Sequence, residues 1–457
     1  MIPKPYRRIP RGPGSGRLRP AYHFAARRGW LNDPNGLCRF GGEWHLFFQH
    51  NPSGLDWGDM HWGHAVSPDL LSWRELPLAL RPDRLGTMFS GSAVIERGPA
   101  FPGGERMVLA YTAAGSTSLR SLGRRSSQCL AFSTDGRAFA KHGGNPVIPP
   151  IAFMSRDPKI VRAPGPSGER YVMALYLEGR RFALFASTDL FSWERLQELE
   201  LPGSGECPDF FPLAAPDGRV LWTFMAADGT YCLGAFDGAR YAIEHGPFRP
   251  ELGPNYYAPQ TFWEPPDGRR VQVAWLKGGS YPGEVFSQQM GIPTELALAE
   301  TPGGPRVARR PVRELDAACA PGSVADGLAL DAAPRAIASG ERLDLRIGLE
   351  AGKAGRIALD FRGLELAWRP SEGVLELAGR RAELRGYGAE GDRLELRALL
   401  DRSSLEVFAA GGLVSLNACF IPREGAPDIL ARAEGGGASI GRMESRIVPE
   451  LMEAEGG

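Results

Sequence analysis

The stretch Ser67-Pro-Asp69-Leu-Leu-Ser-Trp73 recurs almost unchanged as Ser187-Thr-Asp189-Leu-Phe-Ser-Trp193, and this repeat decides the predicted fold. Looser copies lie at 133–139 (Ser-Thr-Asp-Gly-Arg-Ala-Phe) and 236–241 (Phe-Asp-Gly-Ala-Arg-Tyr). Each copy follows a strand-like run and holds an aspartate that can hydrogen-bond its own backbone. The copies begin 49 to 66 residues apart, and a period near about fifty residues is typical of four-stranded propeller blades. Four copies and one unmarked stretch predict a five-bladed β-propeller; independent hairpins with similar turns are the alternative.

Short runs rich in aromatic and branched residues lie between recurring glycines and prolines, which is typical of β-strands bounded by turns. The predicted strands are Glu43–Gln49, Arg106–Thr112, Tyr171–Leu177, Arg181–Ser187, Val220–Met225 and Val271–Leu276. Beyond residue 330 the alternating segments favour a second all-β unit, a sandwich. Its predicted strands are Arg342–Ile347, Arg356–Phe361, Val374–Leu377, Arg393–Leu399 and Leu405–Phe408. The sequence therefore predicts an all-β chain with a propeller over 20–312, a linker over 313–329 and a C-terminal β-sandwich over 330–450.

Composition excludes several classes of protein. The 457 residues include 53 basic and 53 acidic side chains, and this zero net charge argues against a nucleic-acid or membrane-surface protein. No stretch approaches the length of a membrane span. Six scattered cysteines without a C-x-x-C pair argue against a zinc site or a disulfide framework and fit a reducing compartment. The basic, proline-rich first twenty residues do not read as a signal peptide, so we expect a cytoplasmic protein unless a signal has been removed.

Three short segments each place a carboxylate in an unusual setting. They contain Asp33 within Asn-Asp-Pro-Asn-Gly, Asp157 between an arginine and a proline, and Glu206 before Cys207. Taken alone, Asn-Asp-Pro-Asn-Gly is typical of a tight turn. The adjacent Arg156 and Asp157 could equally be a surface ion pair that contributes little to stability. Carboxylates from different blades can instead converge at the mouth of a propeller channel. Retaining glycoside hydrolysis needs two of them about 5 Å apart, and clustering raises the pKa of one member. This chemistry needs no metal and no organic cofactor.

The order of motifs along the chain resembles glycoside hydrolase family 32, the β-fructofuranosidases, which include invertases, levanases and exo-inulinases. The resemblance runs from about Tyr22 to about Arg446. It is carried by 30–36, 48–52 (Phe-Gln-His-Asn-Pro), 60–67 (Met-His-Trp-Gly-His-Ala-Val-Ser), 89–94, Arg156-Asp157-Pro158, Glu206-Cys207-Pro208-Asp209, 256–258 and the late segment 401–408 (Asp-Arg-Ser-Ser-Leu-Glu-Val-Phe). Such a family member is expected to be a five-bladed propeller followed by a sandwich. It is expected to release fructose from the non-reducing end of sucrose, levan or inulin.

The resemblance also implies roles by position. Asp33 is the expected nucleophile, Glu206 the expected acid and base, and Asp157 the expected stabiliser of the transition state. The expected lining of the fructose pocket is Asn32, Gln49, Trp57, Phe89, Ser90, Arg156, Tyr257 and Trp275. Cys207 is expected to tune Glu206 without reacting. His61 and His64 favour a structural role over a metal site, and Glu406 favours a strand or interface position.

The sequence leaves the substrate and some alternatives open. Thr294 stands where many relatives have an arginine, and the loop 277–289 lacks the tryptophans common in exo-fructanases. The resemblance therefore does not carry a preference among sucrose, inulin and levan. A fructosyltransferase with the same residues is the nearest alternative, and a non-catalytic sugar-binding propeller is a remote one. The expected partner is a small or polymeric fructoside, without nucleic acid or membrane, and the chain is expected to be a monomer or homo-oligomer.

Overall fold

The computed structural model describes residues 7–166, 168–203, 205–387, 391–425 and 428–452, and its regular structure is almost entirely β-strand. All eleven segments predicted as strands overlap strands of the structure, most of them to within a few residues at each end. The helical pieces in the described residues are α1 (Arg313–Ala318) and three single turns, at Pro102–Gly104, Leu119–Ser121 and Ala410–Gly412. None of them is long or apolar enough to cross a membrane.

The first part of the chain forms consecutive antiparallel sheets, each built mainly from strands that follow one another in sequence. The first sheet contains β1 (Gly29–Phe40), β2 (Glu43–Asn51), β3 (His61–Ser67) and β4 (Arg74–Leu80). The second contains β5 (Thr87–Arg97), β6 (Glu105–Ala114), β7 (Ser127–Ser133) and β8 (Ala140–Lys141). The third contains β9 (Arg156–Gly165), β10 (Gly168–Glu178), β11 (Arg181–Ser187) and β12 (Glu194–Glu200).

Two further sheets follow. The fourth contains β13 (Asp209–Ala214), β14 (Val220–Met225), β15 (Tyr231–Phe236) and β16 (Tyr241–Phe248). The fifth contains β17 (Tyr256–Thr261), β18 (Arg270–Leu276), β20 (Gln289–Met290), β21 (Thr294–Thr301) and β22 (Gly304–Pro311). A short strand between β18 and β20 in sequence, β19 (Phe286–Ser287), pairs in parallel with β1. This pairing links the last sheet of the series to the first.

The sequence repeat corresponds to one hairpin position. All four copies lie between the third and fourth strands of a sheet, and in each copy an aspartate oxygen accepts backbone N–H groups two and three residues later. Asp69 accepts them from Leu71 and Ser72, and Asp189 from Phe191 and Ser192. Asp135 and Asp237 make the equivalent pair of bonds. The repeat is therefore a turn motif, conserved in geometry because these bonds fix the hairpin.

The first strands of the sheets contact one another in a closed cycle: β1 contacts β5, β5 contacts β9, β9 contacts β13, β13 contacts β17, and β17 contacts β1. Cys38 of β1 also forms an isolated parallel bridge with Trp263, just past β17. Residues at or just before the N-terminal parts of four of these strands are hydrogen-bonded to one another: Asp33 to Ser90 and Cys207, and Cys207 to Asp157. That shared end holds the candidate site.

The second part of the chain is two six-stranded sheets. One contains β23 (Ala320–Leu330), β34 (Ala438–Ile447), β25 (Leu343–Glu350), β30 (Arg393–Asp401), β31 (Ser404–Ala409) and β32 (Val414–Cys419), in that order. The other contains β24 (Arg335–Ser339), β33 (Asp428–Glu434), β26 (Arg356–Phe361), β27 (Leu364–Arg369), β28 (Val374–Leu377) and β29 (Arg380–Glu383). One apolar cluster draws on both sheets, so they pack face to face. Residues 313–329, predicted as a linker, form α1 and most of β23, because β23 pairs with β34.

The two units are joined by a buried ion bridge. The His23 ring lies between two carboxylates of the sandwich, with Nδ1 2.9 Å from Asp401 and Nε2 2.8 Å from Glu406, and all three side chains are almost fully buried. Burial alone lowers the pKa of His23, but the hydrogen bonds and charges of both carboxylates outweigh it and raise the pKa to about 9. Glu406 also accepts the N–H of Ile292, which confirms its interface position. The bridge therefore holds a charged imidazolium at neutral pH.

We predict that His23→Gln lowers the free energy of unfolding by about 3 kcal/mol at pH 6, because it leaves two buried carboxylates without their cation. The unfolded chain has a histidine pKa near about 6.5. The contribution of the bridge is therefore complete below that pH and is lost as pH rises through about 9. Urea unfolding of both proteins at pH 6, 7.5 and 9.5 measures the difference, with His245→Gln as control. A difference that stayed constant or grew with pH would contradict the assignment.

Candidate active site

Asp33 and Asp157 lie at bulges near the N-terminal ends of inner strands, and Glu206 lies just before β13. Compared with the strand that it pairs with, β1 has one extra residue at Asp33 and β5 has one at Ser90. In the same way, β9 has one extra residue within Asp157-Pro158 relative to β10. On β17 the irregularity falls after Tyr257. A bulge redirects a side chain and ends regular pairing, and it is common next to active sites. The same device thus turns one residue from each of four sheets toward the shared end.

Left-handed backbone marks the same positions. Asp157 has φ of 64°, Glu206 of 71°, Cys207 of 42° and Ala258 of 47°. Non-glycine residues rarely adopt these values, which cost about 1–3 kcal/mol each where the surrounding structure does not relieve them. Cross-bonds hold the segment in place: the Gln260 amide donates to the carbonyls of Cys207 and Pro208, at 3.2 and 3.0 Å. The site is thus built on backbone that the neighbouring sheet keeps in an unfavourable conformation.

One oxygen of Asp33 is held by hydrogen bonds and the other is free of them. Oδ2 accepts from the Ser90 hydroxyl at 3.0 Å and from the Cys207 thiol at 3.4 Å. Oδ1 is buried and has no hydrogen-bond partner in the described residues. An unpartnered carboxylate oxygen keeps its full electron density for a substrate atom, so Asp33 is oriented through one oxygen and presents the other.

Asp157 is the most enclosed of the three carboxylates, with a side chain 5% exposed. Its Oδ2 accepts the backbone N–H of Cys207 at 3.0 Å and the Cys207 thiol at 3.5 Å. Arg156 lies 3.5 Å away through Nε. Cys207 therefore joins Asp157 to Asp33, rather than acting on Glu206 alone as the sequence suggested. Burial and the neighbouring carboxylates raise the pKa of this thiol well above its usual range, so it remains a neutral donor.

Glu206 faces outward, with a side chain 32% exposed. Arg156 donates from Nη2 to Oε2 at 2.7 Å, and the Tyr257 hydroxyl donates to Oε1 at 2.5 Å. The two oxygens therefore have different neighbours. Oε2 lies on the side of Arg156 and Asp157, and Oε1 lies on the side of Tyr257. Arg156 links the outer carboxylate to the buried one and balances part of their charge.

The clustered charges change the proton affinity of the buried groups. Burial raises the pKa of Asp157 to about 7, with Glu206 and Asp33 adding to the rise, while Arg156 and the Cys207 N–H oppose it. Burial, followed by the charge of Glu206, raises the pKa of Asp33, against the hydrogen bonds from neighbouring polar side chains. The sequence analysis expected such a rise in one member of the cluster. The structure places it on both Asp33 and Asp157.

The other predicted pocket residues surround these carboxylates. Asn32 accepts the indole N–H of Trp30 at 2.8 Å, and Gln49, opposite it on β2, donates to the carbonyl of Met88 at 2.8 Å. Trp275 packs edge-on against both Trp30 and Tyr257, with ring centroids 6.0 Å apart in each case. Trp57 is 53% exposed and meets the edge of Phe89 at the rim. All eleven predicted site residues thus connect to one another through contacts or bulged neighbours.

Several other residues take part or prove structural. Gln260 was not among the predicted site residues, and only the cross-strand register of β17 and β18 could have found it. Trp30 lies in the segment 30–36, and Lys277 begins the loop 277–289, but neither was predicted to line the pocket; the Lys277 ammonium lies 3.7 Å from the centre of the Tyr257 ring. His64 is buried, stacks on Phe47 and lies 3.0 Å from His45, as expected of a structural residue. Thr294 is buried and donates to the carbonyl of Gln272 within its sheet.

The channel beneath the carboxylates is nearly closed. A cavity of about 10 Å³ lies there, room for about one water, and it is lined by Pro34, Asn35, Ser90, Gly91, Asp157, Pro158, Cys207, Ala258 and Gln260. A larger cavity of about 200 Å³ lies farther along the same inner strands and is lined by residues such as Leu37, Lys159 and Thr261.

Comparisons with known proteins agree on one family. The model described as Glycosyl hydrolases family 32 N-terminal domain matches residues 23–311, and the C-terminal model matches 368–446. A levanase of Bacillus subtilis (strain 168) is 30% identical over 92% of this chain and 69% of its own length. A sucrose-6-phosphate hydrolase of Klebsiella pneumoniae is 34% identical over 88% of each chain. An exo-inulinase structure from Aspergillus awamori shares the fold, with a TM-score of 0.85 at 24% identity over 95% of this chain and 99% of its own.

We predict that Asp157→Asn stabilises the protein at pH 8. The raised pKa means that the folded state disfavours the charged form, so the ionised carboxylate costs stability above pH 4 and increasingly up to about 7. The amide keeps an acceptor for the Cys207 N–H without the charge. The gain should be about 2–4 kcal/mol at pH 8 and should vanish as pH falls to about 4. Denaturant unfolding measures it, with the exposed Asp217→Asn as control; unchanged or lower stability at pH 8 would overturn the charge argument.

Proposed function

This chain belongs to glycosyl hydrolase family 32, and we propose that it is a retaining β-fructofuranosidase acting on the non-reducing end of sucrose or a β-fructan. It is a fructose-releasing hydrolase of that family, in keeping with its levanase, sucrose-6-phosphate hydrolase and raffinose invertase relatives. The observation that carries the mechanism is the pair of unlike carboxylates: Asp33 with one oxygen unpartnered, and Glu206 partly exposed with the Tyr257 hydroxyl and the Arg156 guanidinium as donors.

In the first step, Asp33 Oδ1 attacks the anomeric carbon of the fructosyl unit while the glycosidic C–O bond breaks. Glu206 gives its proton to the departing oxygen, which leaves as an alcohol. The Ser90 and Cys207 bonds fix Asp33 through Oδ2 and so keep the attacking oxygen in place. The product of this step is an ester between Asp33 and fructose, with Glu206 as a carboxylate.

In the second step, the Glu206 carboxylate takes a proton from water, whose oxygen attacks the same carbon and releases Asp33. Two displacements at one carbon retain its configuration. The partial exposure of Glu206 suits this role, because water must reach it after the leaving group departs. Tyr257 and Arg156 orient the carboxyl group from its two sides.

Asp157 and Arg156 are proposed to bind fructose hydroxyls. A charged acceptor makes stronger hydrogen bonds than a neutral one, and such bonds strengthen as positive charge develops on the sugar ring. We propose that Asp157 lies beneath the fructosyl unit and that Arg156 adds donors beside it. The burial of Asp157 and the contacts of Arg156 with Asp157 and Glu206 support this arrangement. Asn32, Gln49, Phe89, Trp275 and Trp57 are proposed to form the walls and rim.

The finer architecture is also a proposal. The cyclic contacts of β1, β5, β9, β13 and β17 support a propeller of five blades, each blade one of the sheets that precede residue 312. We propose that the catalytic unit spans 20–312 and that the sandwich spans 330–450, extended by β23, with which its sheet begins. The sandwich carries the carboxylates that hold His23, so one of its roles is to brace the catalytic unit.

A product profile tests the function. Wild type and Asp33→Asn are incubated separately with sucrose, inulin and levan, and the sugars are separated by chromatography. We expect wild type to release free fructose from at least one of them and Asp33→Asn to lose at least about 10⁴-fold of that activity without a lower melting temperature, since the raised pKa of Asp33 shows that its charge costs stability. Oligosaccharides in place of free fructose at high substrate concentration would favour the transferase. Activity retained by Asp33→Asn would reject the nucleophile.

A further inference from the structure

Lys159 is a buried cation on β9 that contacts two other inner strands. Its ammonium nitrogen is 2.9 Å from the carboxylate of Asp209, on β13. The same nitrogen donates to the carbonyl of Thr261, on β17, at 2.7 Å and lies 3.2 Å from the hydroxyl of that residue. The side chain of Lys159 is 6% exposed and that of Asp209 is fully buried. One ammonium group thus joins the third, fourth and fifth sheets.

Asp209 completes this set of contacts. Its Oδ2 accepts the backbone N–H of Thr261 at 2.7 Å, and its Oδ1 accepts the Thr261 hydroxyl at 3.1 Å. Oδ1 is also the oxygen that lies 2.9 Å from the Lys159 ammonium. Each of the three residues therefore contacts the other two, and each comes from a different sheet.

Backbone pairing does not fix these three strands relative to one another. β9, β13 and β17 belong to different sheets, and no ladder of hydrogen bonds joins any two of them in the described part of the chain. Lys159 and Thr261 also help to line the cavity of about 200 Å³. Because close packing is missing on that side, side-chain contacts have to set the relative position of the strands.

Two of the three residues lie close in sequence to residues of the candidate active site. Asp157 precedes Lys159 by two positions, and Cys207 precedes Asp209 by two positions. The Cys207 N–H donates to Asp157 at 3.0 Å, so the same two chain segments meet again at the site. A shift of β9 against β13 at Lys159 would therefore change the distance between Cys207 and the Asp157 carboxylate.

The contact between Lys159 and Asp209 acts through geometry rather than through charge. The two side chains neutralise each other, and the charges that shift the pKa of Asp157 most come from other groups of the site. A buried ion pair adds little net stability, because desolvation of both groups offsets their attraction. What the pair does supply is a fixed distance and direction between two strands.

We infer that Lys159 and Asp209 are a positioning pair, which holds Asp157 and the Cys207 segment at the separation that the transition state requires. This rests on the proposed function, because it assumes that Asp157 binds the fructosyl unit. Neither member of the pair touches the substrate in this account. Asp209 belongs to a segment that the sequence analysis singled out, and the pair gives it a role that the proposed mechanism leaves unassigned.

The test removes both charges together, because removing one would leave the other buried without a partner. The double variant Lys159→Met, Asp209→Asn keeps both side chains close to their original size. We expect it to fold and to lose about 10- to 100-fold in kcat, with KM changed less than about threefold, since misplacement weakens the bonds that form in the transition state. The substrate is whichever of sucrose, inulin and levan wild type hydrolyses fastest, and circular dichroism measures the folded fraction.

Three further variants separate positioning from a general loss of structure. Lys159→Arg keeps the charge and the ion pair, and the adjoining cavity has room for its larger head group, so it should retain most of the wild-type kcat. Arg397→Met, Asp344→Asn removes a pair of comparable burial in the sandwich, where Nε lies 2.9 Å from Oδ1, and should leave kcat unchanged.

The third variant, Thr261→Val, is a milder change that decides the matter if the double variant does not fold. It removes the hydroxyl that Lys159 and Asp209 share, and it should lower kcat about threefold with little change in KM. Thr223→Val is its matched control, because the Thr223 hydroxyl is buried and has no hydrogen-bond partner in the described residues. This control should leave kcat unchanged.

The outcomes distinguish the inference from the proposed function. If wild type releases fructose and the folded double variant, or Thr261→Val in its place, keeps the wild-type kcat, the inference is wrong while the proposed function stands. The same holds if Lys159→Arg loses as much kcat as the double variant, or if kcat falls only in proportion to the folded fraction. If wild type hydrolyses none of the three sugars, the proposed function fails and the inference fails with it.

Discussion

The structure depends on how it accommodates the repulsion among three clustered carboxylates. The two inner ones are buried, so water does little to screen their charges. Asp33 and Asp157 share the Cys207 side chain as a hydrogen-bond donor, and Glu206 adds its charge from the outer side. Burial alone favours the neutral acids, which explains the raised pKa of both inner groups. Arg156 and the Cys207 N–H reduce the free-energy cost of ionising Asp157 but do not abolish it. This cluster of carboxylates persists only because the fold around it is stable enough to oppose the repulsion among them, and under the proposed mechanism it exchanges stability for function.

Several parts of the fold, in the propeller sheets and in the sandwich, help to hold these carboxylates in place. Each inner strand supplies a bulge or a left-handed residue, and a neighbouring strand fixes it with hydrogen bonds, as Gln260 does for the segment that follows Glu206. The sandwich contributes from outside through Asp401 and Glu406, which share the single positive charge of His23, ahead of the first sheet. The same unit reaches the rim: the Cys419 N–H donates to Asn255, which in turn fixes the backbone of Lys277. A sandwich remote from the chemistry can therefore influence the outer pocket.

The strands, the hairpins and the three carboxylates could be predicted from the sequence, whereas contacts between distant strands could not, for physical reasons. Strands and hairpins are local, so the alternation of apolar residues and the repeated aspartate turns located them to within a few residues. The carboxylates were found because their segments hold combinations of residues typical of one family. The bulges, the link from Cys207 to both aspartates and the position of Lys277 depend on register between strands far apart in sequence. The His23 bridge joins residues almost 380 positions apart, and β23 overlaps the segment predicted as a linker because its exposed, glycine- and alanine-rich sequence gives little strand signal.

The proposed mechanism requires a covalent bond between Asp33 and fructose, and the most direct experiment is to trap that ester. Glu206→Gln cannot activate water as a base, but a fructosyl substrate with a good leaving group, such as fluoride, needs no acid for the first step. The account predicts that mass spectrometry of the digested, reacted variant finds one anhydrofructose unit on the peptide that contains Asp33. It predicts no such adduct in the Asp33→Asn, Glu206→Gln double variant. An adduct on Asp157 or on another residue, or rapid turnover of the fluoride without any adduct in the double variant, would contradict the account.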